Sequence, residues 1–153
     1  MSLDIKKLQV KNSDNFFIKS FLGNLVKCGN KNKAFAAYID LLEKLKLEYP
    51  ENEPNLLLVN ALDKIKPLVN LRVKKVAGIS YQLPCPLDER RASKMAINWF
   101  FNSIKLRAEL TLGKRLISEI LDILHDKGAS LQKKNNHEKM ALDNRAFLFF
   151  LKR

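Results

Sequence analysis

The chain has 153 residues, with 28 Lys and Arg against 16 Asp and Glu, a formal net charge of +12. Its 46% hydrophobic content excludes global disorder, and at this length a single domain buries about 70% of its unfolded surface without metals or disulfides. Cys28 and Cys85 fit neither a disulfide framework nor a metal knuckle, and no stretch of about 18 uninterrupted apolar residues offers a membrane span.

A reducing compartment follows from that cysteine usage. Met1 to Lys7 has neither the apolar core of a signal peptide nor the Arg-rich, acid-poor pattern of a transit peptide, so the chain reads as mature from its first residue. Residues 1–77 and residues 78–153 each hold 14 basic and 8 acidic side chains, so the excess charge is not one solvated tail. A polyanion is the expected partner, because phosphates relieve self-repulsion on this scale. A membrane surface ranks lower, since no helix sets a basic face against a Trp- or Phe-lined one.

Periodicity predicts a first helix from about Asp14 to Lys27, with Phe17, Phe21, Leu22, Leu25 and Val26 on one side and Cys28-Gly29-Asn30 as its stop. Cys28 is expected to be a small buried or half-buried thiol. A second helix, from about Asn32 to Glu48, carries Phe35, Tyr38, Leu41, Leu42 and Leu45. The third opens at Glu53-Pro54, buries Leu57, Leu58, Ala61, Leu62 and Ile65, and ends at Pro67.

The period then changes to two. Val69, Leu71 and Val73, followed by Ile79, Tyr81 and Leu83, alternate with polar residues and predict a hairpin over about 69–84. A three-residue turn, Val76-Ala77-Gly78, would pair Val73 with Tyr81 and Arg72 with Gln82. It would gather Arg72, Lys74, Ser80 and Gln82 on one polar face, with Pro84 and Pro86 ending the arm.

Asp88 is the expected N-cap of a fourth helix reaching about Arg107. Ala92, Ala96, Trp99, Phe100 and Ile104 form its apolar side, opposite a polar stripe of Arg91, Lys94, Asn98, Asn102 and Lys105. Thr111 caps a fifth helix, where Leu116, Ile117, Ile120, Leu121 and Leu124 face inward and Gly128 supplies the stop. A basic linker from Ala129 to Asn136 precedes a last helix from about His137 to Phe150, with Met140, Ala141, Phe147 and Leu148 as its buried residues. The expected fold is mainly α: a single domain over residues 1–153, six helices and one protruding two-stranded β-hairpin.

Catalytic chemistry leaves no mark. Gly113-Lys114-Arg115 lacks the glycine-rich loop of a nucleotide site. His125 and His137 would reach Cys28 and Cys85 only by assembling four distant positions, so no metal and no cofactor are expected. Glu119 and Asp122 sit three apart near Lys and Arg, as on a solvated helix face. The expectation is a protein that is not an enzyme.

Two long stretches carry a specific pattern: "NALDKIKPLVNLRVKKVAGISYQLPCPLDERRASKMAINWF" and "GKRLISEILDILHDKGASLQKKNNHEKMALDNRAF". Pro67 closes a helix, Val76 to Pro84 forms a V-x-G-x-x-Y-Q-V-P-like hairpin, Asp88 to Trp99 gives an E/D-x-R-R helix start followed by a tryptophan, and Lys133 to Phe147 forms a K-K…M-A-x-x-N-R-A-F segment. Over about 90 residues this resembles the bacterial and organellar small-subunit ribosomal protein seven family. The chain departs from the family in four places. The basic N-terminal arm is reduced to about a dozen residues with Lys6, Lys7 and Lys11. Ala77-Gly78 replaces a glycine pair, as in mitochondrial members. Glu138 holds the family's histidine place, with His137 one position early. Phe149-Phe150-Leu151-Lys152-Arg153 ends the chain.

The resemblance implies a structural constituent of the small ribosomal subunit that binds the 3′ major domain of its rRNA and nucleates head assembly. Its implied neighbours are head and platform proteins, with the hairpin near mRNA and exit-site tRNA. The implied RNA contacts are Lys31 and Lys33 in the first interhelix loop, Arg72, Lys74, Lys75 and Gln82 on the arm, and Arg90, Arg91 and Lys94 on the fourth helix. Lys114 and Arg115 on the fifth helix and Lys133, Lys134, His137 and Arg145 near the end complete the set. Tyr81 either stacks on a base or packs under the arm, and Trp99 is expected in the core. Lys outnumbers Arg by 21 to 7, beside 14 Asn. That bias, with Ala77, favours a mitochondrial member, with plastid or bacterial origin as the alternatives. Two other functions stay open: a helical DNA-binding regulator reading through Arg90, Arg91 and Lys94, and a protein-interaction module docking through Phe149, Phe150 and Leu151.

Overall fold

A computed structural model describes residues 12–152, with side chains from 16 to 150. Lys6, Lys7, Lys11 and Arg153 lie outside the described residues, as does the Leu151 side chain. In chain order the elements are α1 (Asn12–Leu25), α2 (Lys31–Glu48), α3 (Pro54–Ile65), β1 (Val69–Val76), β2 (Ile79–Pro86), α4 (Glu89–Leu106), α5 (Leu112–Leu124) and α6 (Ala129–Asp143), followed by a 3-10 segment over Asn144–Lys152. The described residues thus form the mainly α fold with one hairpin that periodicity predicts.

Helix α3 is the hub. Leu57, Leu58, Val59, Ala61, Leu62 and Ile65 are buried on more than one side of it, and it touches each of the other five helices. Leu56, Asn60 and Asp63 form its one exposed face, and the broad apolar arc that remains has to be covered by several neighbours. Beside it, the Phe21 ring packs against Tyr38, Phe100 and Phe101 at 6.1, 5.8 and 5.2 Å between centroids. Tyr38 Oη donates to Asn55 Oδ1 at 2.8 Å, and burial pushes its phenol pKa up to about 12.

The hairpin differs from its predicted register by one residue. Val76 pairs with Ile79, Lys74 with Tyr81 and Val73 with Gln82, so the turn is the two-residue Ala77-Gly78. Both turn residues are left-handed, with φ of 49° and 84°, the geometry whose twist matches paired strands. A one-residue slip regroups the faces. Arg72, Lys74 and Tyr81 share one face with Leu83 and Cys85, while Val73, Lys75, Ser80 and Gln82 share the other. Pro84 and Pro86 do not end the arm, since β2 runs on through Pro86. Two-stranded sheets leave outer edges where a missing N–H costs no ladder bond.

The C-terminal third departs further. Ala129 to Asn136 is helix rather than linker, and Gly128, at φ 107° and ψ 153°, is the N-cap residue of α6 rather than the stop of α5. That polar run holds good helix formers whose long side chains find partners. Lys133 Nζ donates to Ser103 Oγ at 3.2 Å, and Lys134 Nζ to the Lys64 carbonyl at 2.8 Å. Asn144 ends α6, its Nδ2 donating to the Met140 carbonyl at 2.8 Å, and the chain tightens into the 3-10 segment. Only Ala141 of the four residues expected to be buried there is so, with Met140 and Leu148 exposed and Phe147 half-buried.

Cys28 is exposed, at φ 50° in the loop after α1, while Cys85 is buried. Trp99 is half-buried, packed against the core with its other side on His137. Glu119 is fully buried, not solvated, and with Asp122 it receives the Arg107 guanidinium.

Candidate nucleic-acid interface

The N-cap hydroxyl of Thr111 accepts from Lys114 N at 3.4 Å and starts α5 where predicted. Asp88 holds the N-cap position of α4 without a side-chain cap bond. The whole polar stripe of α4, Arg91, Lys94, Asn98, Asn102 and Lys105, is exposed, as is Arg90. Among the described residues the stripe makes a single exposed ion pair, Asp88 with Arg91 Nε at 3.7 Å, of little strength at such a distance in water.

One cleft borders the stripe and a second lies between the α1–α2 loop and α5. A groove of about 290 Å³ between α1 and α4 is lined by Ser20, Gly23, Asn24, Lys94 and Asn98. A second of similar volume is lined by Lys27, Asn30 and Lys33 of the α1–α2 loop and start of α2, together with Leu112 of α5, two residues before Lys114. The exposed predicted cations on the α-helices are Lys31 and Lys33, which fall in the first turn of α2 rather than in the interhelix loop, Lys114 at the start of α5, and Arg90, Arg91 and Lys94 at the start of α4, with Lys94 lining the α1–α4 groove. Ser20 and Asn24 belong to the lining of that groove although neither charge nor periodicity marks them. Their spacing of four on the polar side of α1 is the only signal they leave in the sequence.

On the hairpin, Arg72, Lys75 and Gln82 are exposed, and Arg145 is exposed on the 3-10 segment. The other predicted contacts have partners within the chain. Lys74 Nζ donates to the Phe150 carbonyl at 2.8 Å. Tyr81 packs under the arm, its ring 4.9 Å from Phe147 and 5.1 Å from Phe150. Arg115 Nε donates to the Glu109 carbonyl at 2.5 Å. His137 Nε2 lies 3.0 Å from the Val69 carbonyl, so the proton sits on that nitrogen, and its ring is 5.2 Å from Trp99. Lys133 and Lys134 are held as described above. The carbonyl partners of Lys74 and Lys134 lie near chain and helix ends, where free acceptors and partial negative charge draw cations.

The arrangement offers lysine and arginine heads at the starts of three helices, with the polar amides of Asn98 and Asn102 beside them on α4. Phosphate binding requires that chemistry. Among the described residues no three His, Cys, Asp or Glu side chains group as a metal site, and no helix is long and apolar enough to cross a membrane.

Comparison with known proteins gives a consistent result. The family model described as ribosomal protein S7p/S5e matches residues 3–145. The small ribosomal subunit protein uS7 of Rubrobacter xylanophilus is 36% identical over 133 residues, covering 87% of this chain and 85% of that protein. The uS7 proteins of Acidiphilium cryptum and Syntrophus aciditrophicus are 34% and 32% identical, covering 85% and 89% of this chain and 83% and 86% of theirs.

Proposed function

Since the chain belongs to the ribosomal protein S7p/S5e family, we propose that it is a structural constituent of the small ribosomal subunit that binds the 3′ major domain of small-subunit rRNA and helps nucleate the subunit head. The observation that carries this reading is the exposed set of Lys31, Lys33, Arg90, Arg91, Lys94 and Lys114, spread over the starts of three helices, α2, α4 and α5. A single recognition helix needs less. Recognition is by charge and shape: lysine and arginine heads neutralise phosphates, and a folded RNA junction selects by presenting them at the right spacing.

In this reading the predicted RNA contacts divide in two. The exposed cations, with Arg72, Lys75, Gln82 and Arg145, touch RNA. Lys74, Tyr81, Arg115, Lys133, Lys134 and His137 hold the elements that present them. The arm reaches toward mRNA and exit-site tRNA, neighbouring head and platform proteins complete the setting, and no reaction is catalysed. The relatives named above are bacterial. The excess of Lys over Arg, the 14 Asn and Ala77 support a mitochondrial ribosome for this chain, against a plastid or bacterial one.

A filter-binding titration tests the core of this. The protein should prefer a 3′ major domain fragment to duplex DNA of equal length, with affinity falling steeply as salt rises. Equal affinity for both would favour the DNA-binding reading through α4.

A further inference from the structure

A groove of about 490 Å³ opens where the root of the hairpin meets α6 and the 3-10 segment. Leu68, Pro84, Pro86, Leu142 and Leu148 line it, so its walls are aliphatic. Leu68 is 80% exposed and Leu142 69%, an unusual investment of large apolar side chains in open surface. Glu138 lines the same groove, and its Oε1 is buried without a hydrogen-bond partner among the described residues. Buried carboxylate oxygens are costly when left so, and this one asks for a donor.

We propose that this groove is a docking site for an extended segment of a neighbouring small-subunit protein, which lays aliphatic side chains against Leu68 and Leu142 and brings a Lys or Arg head to Glu138 Oε1. The proposal rests on the ribosomal reading above and adds a protein-binding surface to it. The make-up of the walls decides the class of occupant. RNA is disfavoured because the described walls are mostly aliphatic, hold one acid beside one base and carry no aromatic ring for base stacking. Of the predicted RNA-binding residues only Arg145 lines the groove. An apolar centre with one desolvated charge pair is instead the make-up of a protein interface core.

The test is photo-crosslinking in assembled subunits. In a Cys28→Ser background, Leu142→Cys carries a benzophenone maleimide, and Leu68→Cys serves as a second attachment point should bulk at position 142 block assembly. Irradiation should give an adduct heavier by the mass of one small-subunit protein. Glu138→Gln, checked for unchanged circular dichroism, should lower the adduct yield about tenfold or more, as truncation of a buried charge pair does. An RNA adduct, or none from subunits that contain the labelled chain, overturns the proposal. Failure of the unlabelled wild-type chain to enter subunits would instead overturn the ribosomal reading on which it rests.

Discussion

Arg107 Nη1 lies 2.5 Å from Glu119 Oε2, at the junction where α4 ends and α5 and α6 meet. Asp122 Oδ2 takes both terminal nitrogens at 2.8 Å, and Glu109 Oε1 takes Nε at 3.0 Å. The other Glu119 oxygen accepts from Ser130 N at 3.1 Å and from Ser130 Oγ. One buried carboxylate thereby ties the end of α4 to the first turn of α6. Burial by itself would lower the Arg107 pKa, but hydrogen bonds to Asp122, Glu119 and Glu109 outweigh it and hold the guanidinium above its usual range.

Removing Glu119 should therefore damage the fold more than removing any exposed acid. Glu119→Ala leaves Arg107 short of a partner and Ser130 without its acceptor, and about 3–5 kcal/mol of stability should be lost. Urea denaturation measures it. Asp143→Ala, at an exposed position, should change little. Equal losses for the two variants would mean that the buried cluster contributes nothing particular.

Acid should loosen the same junction. The Glu109 carboxyl is held below its usual value by its own backbone N–H and then by Arg107. A folded-state pKa below the unfolded one means that the contribution is complete above about pH 4.5 and fades as pH falls through the lowered value. Wild-type protein should melt above Glu109→Gln at neutral pH, and the gap should close toward pH 2–3. A gap independent of pH would refute this account.

The hairpin should depend on the 3-10 segment. Tyr81 packs on Phe147 and Phe150, and Lys74 bonds the Phe150 carbonyl, on the same face of the arm. Two strands alone are barely stable in water. Tyr81→Ala should therefore speed hydrogen exchange of the 72–80 amides while α3 amides keep their protection. Uniform acceleration over the whole chain would make Tyr81 a core residue rather than a brace.

RNA binding should separate body from arm. Arg90→Ala with Arg91→Ala and Lys94→Ala should weaken binding to the rRNA fragment and lower the salt slope by about one unit for each phosphate no longer neutralised, with the melting curve unchanged. Cutting the arm back to a two-residue turn between Lys74 and Tyr81 removes one exposed lysine, Lys75. Fragment binding should then survive, while assembled subunits show altered tRNA retention or reading-frame accuracy. Loss of nearly all fragment affinity on shortening the arm would make the hairpin a primary anchor.

Periodicity along the chain was enough for helices α1 to α5, most of their inward faces and the polar stripe of α4, because a period of 3.6 is local and repeats over several turns, but it misplaced α6. Phe17, Phe21, Leu41, Leu58, Phe100 and Leu116 are buried as that period requires. The family was legible too, since its motifs are strings of neighbouring residues. Tertiary structure alone decided the rest. Glu119 looks like any helix-surface acid until Arg107 and Ser130 are brought to it from 12 and 11 positions away. Lys133 and Lys134 look like linker charge until Ser103 and the Lys64 carbonyl receive them. The hairpin register turned on whether Ala77 would accept a left-handed φ, a cost of roughly 1–2 kcal/mol that local sequence argues against and the paired strands of the braced arm outweigh. Charge and periodicity are written along the chain, but which charge stays free for a partner depends on which groups folding places beside it.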